Sequence, residues 1–98
     1  MAKATESSHT IECQLVNDHG IHIRTAAVLV EICERYDADV LIKTPRGESD
    51  GRDMMRLLTL EATCGTILVI TAQGPDREIV VSKLAEVIST GFADQETK

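Results

Sequence analysis

Aromatic side chains are almost missing from this sequence, which has no tryptophan, one tyrosine (Tyr36) and one phenylalanine (Phe92). With so few stacking platforms, and sixteen acids against ten bases for a formal charge of −6, the chain has the wrong sign and the wrong surface to track a phosphate backbone. Nucleic acid is not an expected partner. No apolar run approaches the roughly 18 residues of a membrane-spanning helix, and residues 1–9 are too polar for the apolar heart of a signal peptide. A cytoplasmic protein without membrane insertion is expected. Three cysteines, Cys13, Cys33 and Cys64, are odd in number and contain no Cys-x-x-Cys pair, so neither a disulfide framework nor a zinc knuckle is indicated. Their aliphatic neighbours predict buried thiols. The spacing His19-x-x-His22 has no cysteine or carboxylate at a recognised ligand interval, so no metal site is expected.

What is present is an aliphatic core in a short chain. At 43% hydrophobic residues over 98 positions, there is material for one core and no room for a second. A single domain is expected over 9–92, after a polar lead-in at 1–8 and before a polar tail at 93–98. Ile11, Cys13 and Leu15 alternate with Glu12 and Gln14, the period-two pattern of a half-buried strand over 10–16. After the turn residues Asn17 to Gly20 the period changes. Ala26, Leu29, Val30, Cys33 and Tyr36 fall on one stripe of a helix over 23–37. A strand over 38–44, a reversal at Pro45-Arg46-Gly47 and a short polar edge strand within 48–51 follow. Asp53 is placed to cap a two-turn helix carrying Met54, Met55, Leu57 and Leu58. Residues 66–72 form the most strand-like run, predicted to be central in the sheet. Val80, Leu84, Val87 and Ile88 stripe a last helix that Gly91 stops. This order, β-α-β-β-α-β-α, predicts a two-layer α+β fold. Split β-α-β units fit it, but pattern alone leaves open which open-faced sandwich forms.

The chemistry concentrates at Gly20-Ile21-His22-Ile23-Arg24-Thr25-Ala26. A histidine there stands at a helix mouth, where backbone N–H groups and the helix dipole welcome an anion. Arg24 adds a guanidinium suited to phosphate oxygens. His22 could therefore accept and hold a phosphoryl group on a ring nitrogen. A plain polar cap is the simpler use of the same residue.

The run GIHIRTAAVLVEICERYDADVLI resembles the active-site segment of the histidine-containing phosphocarrier family, HPr, of the bacterial phosphotransferase system. That family's signature is Gly-Leu/Ile-His-Ala-Arg-Pro-Ala. DMMRLLTLEATCGTILVITAQG is similar to its regulatory helix, following loop and last strand, and the likeness spans residues 10–91. The resemblance implies an open-faced β-sandwich, a four-stranded antiparallel sheet with three helices on one face. It implies that His22 takes a phosphoryl group from enzyme I and passes it to EIIA components of sugar permeases. Arg24 would neutralise phosphate charge, and no metal or organic cofactor would be needed. The resemblance further implies a monomer that docks through Ile21, Ile23, Met54, Met55 and Leu58, with transcriptional regulators as further candidate partners.

Several positions depart from the family. Thr25 stands where proline is usual, which restores an amide donor and gives up a fixed φ. Ile23 enlarges an apolar surface, and His19 replaces a smaller polar residue. Asp53 occupies the regulatory position at which some members carry a phosphorylatable serine. A carboxylate there caps the helix and offers no hydroxyl to a kinase. Leu57 and Leu60 read as core. Arg52 and Arg56 read as positive charge near the site, while Glu31 and Glu34 place acid on the first helix. Beside the sugar-uptake reading stand a regulatory or nitrogen-related relay and a non-transferring adaptor.

Overall fold

The structure, a computed structural model, describes residues 7–93. Its elements are β1 (Ser8–Gln14), α1 (Ile23–Arg35), β2 (Asp39–Thr44), β3 (Gly47–Asp50), α2 (Met54–Thr59), β4 (Ile67–Gln73) and α3 (Arg77–Ser89), the predicted order. β1 starts two residues earlier than its alternation suggested, because Ser8 pairs with Gln73 and His9 with Ala72. Residues 1–6 of the expected lead-in and 94–98 of the expected tail lie outside the described residues.

All pairings are antiparallel, in the spatial order β1-β4-β2-β3. β4 therefore lies between β1 and β2, and β2 between β3 and β4. Each helical crossover skips one strand, which makes two interlocked split β-α-β units and settles the topology that the pattern left open. Alternation then sorts the side chains. Val40, Ile42, Leu68, Ile70 and Ala72 are buried beneath the helices, while Thr10 and Thr71 meet across the open face through their hydroxyls at 3.0 Å. α3 packs on β1 and β4, α2 against β3, and α1 against both other helices. Phe92, fully buried, closes the end of α3, where its N–H donates to the Val87 carbonyl at 2.9 Å.

The cysteines divide rather than share one fate: Cys33 is buried, Cys13 half-buried and Cys64 exposed. The aliphatic setting that predicted a buried Cys64 belongs to β4, which begins only at Ile67. Burial pushes the Cys33 thiol up to about 12 from 9.0, offset in part by the Arg52 guanidinium. A raised thiol pKa contributes stability that is present below pH 9 and lost as pH rises from 9 towards 12. The urea midpoint is expected to fall across that window, less steeply in Cys33→Ala; equal slopes would remove Cys33 as a cause.

Arg52 and Arg56 are not held for the helix mouth. The Arg52 Nη2 donates to the Ala38 carbonyl at 2.8 Å and the Tyr36 carbonyl at 3.4 Å, with Asp39 3.6 Å from Nη1. It thus serves the C-terminal end of α1, roughly 20 Å along the helix from His22 at 1.5 Å per residue. The Arg56 Nε donates to the Glu48 carbonyl at 2.9 Å. Both side chains fasten α1 and α2 to β3 and its flanks, a use that sequence-local charge does not reveal.

Candidate functional site

Two loops make the platform on which His22 stands, the β1–α1 segment and the segment between α2 and β4. They are stitched by backbone hydrogen bonds from Leu15 N–H to the Thr66 carbonyl (2.9 Å), Gly65 N–H to the Leu15 carbonyl (2.7 Å) and Ile21 N–H to the Ala62 carbonyl (2.9 Å). Gly20 takes a left-handed φ of +59°. It lies so close that a Cβ would meet the Ala62 carbonyl oxygen and come within 2.7 Å of Thr63 Cα. The loop therefore closes only on glycine.

His22 is the N-cap of α1, in extended geometry. Its Nδ1 accepts the Arg24 N–H at 3.3 Å, and the ring also accepts the backbone N–H of Thr25 in a reciprocal capping box. Histidine is not among the favoured N-caps, so this ring is held at the helix mouth by an uncommon arrangement. No acid lies in the first turn of α1, leaving the dipole's positive end uncompensated there. The Arg24 side chain is exposed in the same turn. The His19 ring lies edge-on to that of His22, with centroids 6.0 Å apart. Among the described residues no three metal-binding side chains gather, and no helix is long and apolar enough to cross a membrane.

Of the residues expected at a docking surface, Ile23 (66% exposed) and Met55 (73%) are large apolar side chains in solvent, and Met54 and Leu58 are half-buried. Ile21 is corrected: at 7% exposure it belongs to the core, pulled inward by the hydrogen bond of its N–H to Ala62. Leu57 and Leu60 are buried as expected. Val16 is exposed on the loop leading to His22, and the turn pattern around it gave no reason to single it out. Asn17, read only as a turn former, is buried and donates from Nδ2 to the Gly20 carbonyl at 2.8 Å. Glu31 is paired with Arg35 at 3.5 Å, so its charge is partly answered within the helix.

Asp53 caps α2, its Oδ1 accepting the Arg56 N–H at 3.0 Å. Asp53→Ala is expected to destabilise the protein by about 1 kcal/mol, read as a lower urea midpoint with unchanged slope. Asp53→Ser should recover most of the loss, and no loss in the alanine variant would deny the cap its part in stability.

A histidine held at the mouth of a helix with no acid in its first turn, beside an exposed arginine, is the class of arrangement that can receive an anion. Comparison with known proteins gives the same class. The sequence pattern of the family described as PTS HPr component phosphorylation site matches residues 9–90, and the chain belongs to that family of phosphocarriers. It is 36% identical over 72 residues to phosphocarrier protein HPr of Borreliella burgdorferi, covering 74% of this chain and 84% of that protein. It is 29% identical over 80 residues to phosphocarrier protein NPr of Escherichia coli K12, covering 81% and 89%. The crystal structure of HPr-C-His from Thermoanaerobacter tengcongensis shares the fold, with a TM-score of 0.82 at 20% identity over 87% of this chain and 96% of that one.

Proposed function

We propose that His22 is the phosphoryl acceptor, that enzyme I of the phosphotransferase system charges it, and that EIIA components of sugar permeases discharge it. The observation that carries this is the Nδ1 atom of His22 accepting the Arg24 N–H at the mouth of α1. An acceptor nitrogen bears a lone pair, so in the neutral ring the proton resides on Nε2. Nδ1 is thus the nucleophile. As the N–P bond forms, the donor's bond to phosphorus breaks, and the ring gains a group with about two negative charges. Its oxygens then take over the first-turn N–H donors that Nδ1 had engaged, and the Arg24 guanidinium provides a further cation. Ile23, Met54, Met55 and Leu58 supply an apolar surface around the site for the two partners, and flexible methionines suit a face that must fit both. Asp53, in this reading, withholds α2 from serine-directed kinases and leaves a standing carboxylate at the regulatory position.

The similarity to NPr favours a second reading, a relay with a regulatory output in place of sugar uptake. The test is intact-protein mass after incubation with phosphoenolpyruvate and the cognate enzyme I, with His22→Ala alongside. One acid-labile phosphoryl group, absent from the variant, is expected. Discharge by the EIIA of a sugar permease supports the first reading, and discharge only by an EIIA-type regulatory protein supports the second. No added mass, with enzyme I shown to be charged, would leave a non-transferring adaptor.

A further inference from the structure

Thr25 is fully buried, yet its hydroxyl makes no bond to the core. Every partner of that hydroxyl lies on the segment that carries His22. Oγ1 accepts the His22 N–H at 2.9 Å and donates to the Gly20 carbonyl at 2.9 Å, the His22 carbonyl being farther at 3.4 Å. Asn17 Nδ2 reaches the same Gly20 carbonyl at 2.8 Å, which fills both of its lone pairs. The result is a continuous relay from Asn17 through Gly20 and Thr25 to the backbone of His22. The backbone N–H of Thr25 meanwhile goes to the His22 ring. One residue therefore fixes the histidine twice, at its main chain and at its imidazole.

We propose that Thr25 is the positioning residue of this site: its hydroxyl sets the backbone at His22 so that Nδ1 faces the first-turn amides. The proposal rests on the phosphoryl-acceptor reading of His22 for its consequence and on the hydrogen bonds alone for its geometry. A helix needs no such device merely to start, since a serine or aspartate at the N-cap would serve it better than a histidine. A proline at this position would offer neither a hydroxyl nor an N–H, whereas threonine offers both and both are engaged here. Valine matches threonine in shape and lacks the hydroxyl, while serine keeps the hydroxyl and loses only a methyl group.

The test compares wild type, Thr25→Ser and Thr25→Val in two measurements. In ¹⁵N NMR of the imidazole, wild type and Thr25→Ser should show the Nε2–H tautomer at His22, and Thr25→Val a mixture of both. In transfer from charged enzyme I, Thr25→Val should lose about tenfold or more in kcat with KM changed little, as expected of a misaimed nucleophile, and Thr25→Ser should stay near wild type. A Thr25→Val protein with the wild-type tautomer and rate overturns the proposal, as does a Thr25→Ser protein as impaired as Thr25→Val. The His22 amide of the unmutated protein gives a reading that survives any failure of the variants to fold. Slow hydrogen exchange there supports the bond to the buried hydroxyl, and exchange at the rate of an open amide overturns it. If wild type takes up no phosphoryl group, the acceptor reading fails while the tautomer and exchange results still decide the geometry.

Discussion

Gly20→Ala is expected to cost roughly 2–4 kcal/mol of stability, the sum of a left-handed backbone imposed on an L-residue and overpacking against a neighbouring chain segment. The backbone at Gly20 has φ +59°, and the added methyl would meet the Ala62 carbonyl oxygen and Thr63 Cα. Both obstacles are main chain, so no side-chain rotation relieves them. The loop must lift, and lifting it breaks the hydrogen bond from Ile21 N–H to the Ala62 carbonyl. His22 is two residues away, so phosphoryl uptake should fall together with stability. Gly65→Ala is the control. Gly65 also has positive φ, +96°, but nothing lies within 4 Å of a Cβ placed there. It bears the conformational cost alone and should lose less. Urea denaturation of the two variants checks this, and equal losses would mean that close approach between the two loops contributes nothing.

That comparison also shows why the fold was more legible than the site. Strand alternation and helix stripes are local, so Ile11, Cys13 and Leu15, or Val80, Leu84 and Ile88, announce their elements and buried faces directly. The sheet order is not local. It depends on Thr71 opposing both Thr10 and Leu41, and no period in either segment encodes that pairing. At the candidate site, the placement of His22 and Arg24 at a helix mouth was legible because it follows from a few adjacent residues. What escaped was decided by partners distant in the chain, 41 residues away for Ile21 and 14 to 16 for Arg52. Ile21 looks like an exposed neighbour of the histidine until Ala62 draws it inward. Arg52 looks like a cation for phosphate until the carbonyls of Tyr36 and Ala38 claim it. Thr25 is the instructive intermediate, because all its hydroxyl bonds are local, to Gly20 and His22. The sequence carried that information, but a threonine in a first turn has too many uses for the pattern to choose among them.

The largest effect on transfer short of removing His22 is expected from Arg24→Ala, a slowing of phosphoryl uptake on the order of 10²-fold, the scale of losing one preorganised charge at a reacting phosphate. The side chain is exposed in the first turn, so its removal should leave thermal unfolding within about 0.5 kcal/mol of wild type and the loss can be assigned to the reaction. The chain's formal charge of −6 makes a local cation more consequential, because the transferred group arrives carrying negative charge into a field of its own sign. Arg56 cannot substitute while its Nε is held by the Glu48 carbonyl, nor can Arg52 from the far end of α1. Arg24→Lys should recover only part of the rate, since an ammonium offers a point charge where a guanidinium offers two parallel donors to phosphate oxygens. Quenched-flow uptake from charged enzyme I at two ionic strengths separates charge from contact. If Arg24 acts mainly by charge, added salt should narrow the gap between wild type and Arg24→Ala, because the Debye length is about 8 Å at 0.15 M and shorter above it. A gap that persists in high salt, with Arg24→Lys as slow as Arg24→Ala, would instead assign the effect to direct hydrogen bonding by the guanidinium. Uptake by Arg24→Ala at the wild-type rate would remove Arg24 from the reaction and leave the helix mouth to hold the phosphoryl group alone.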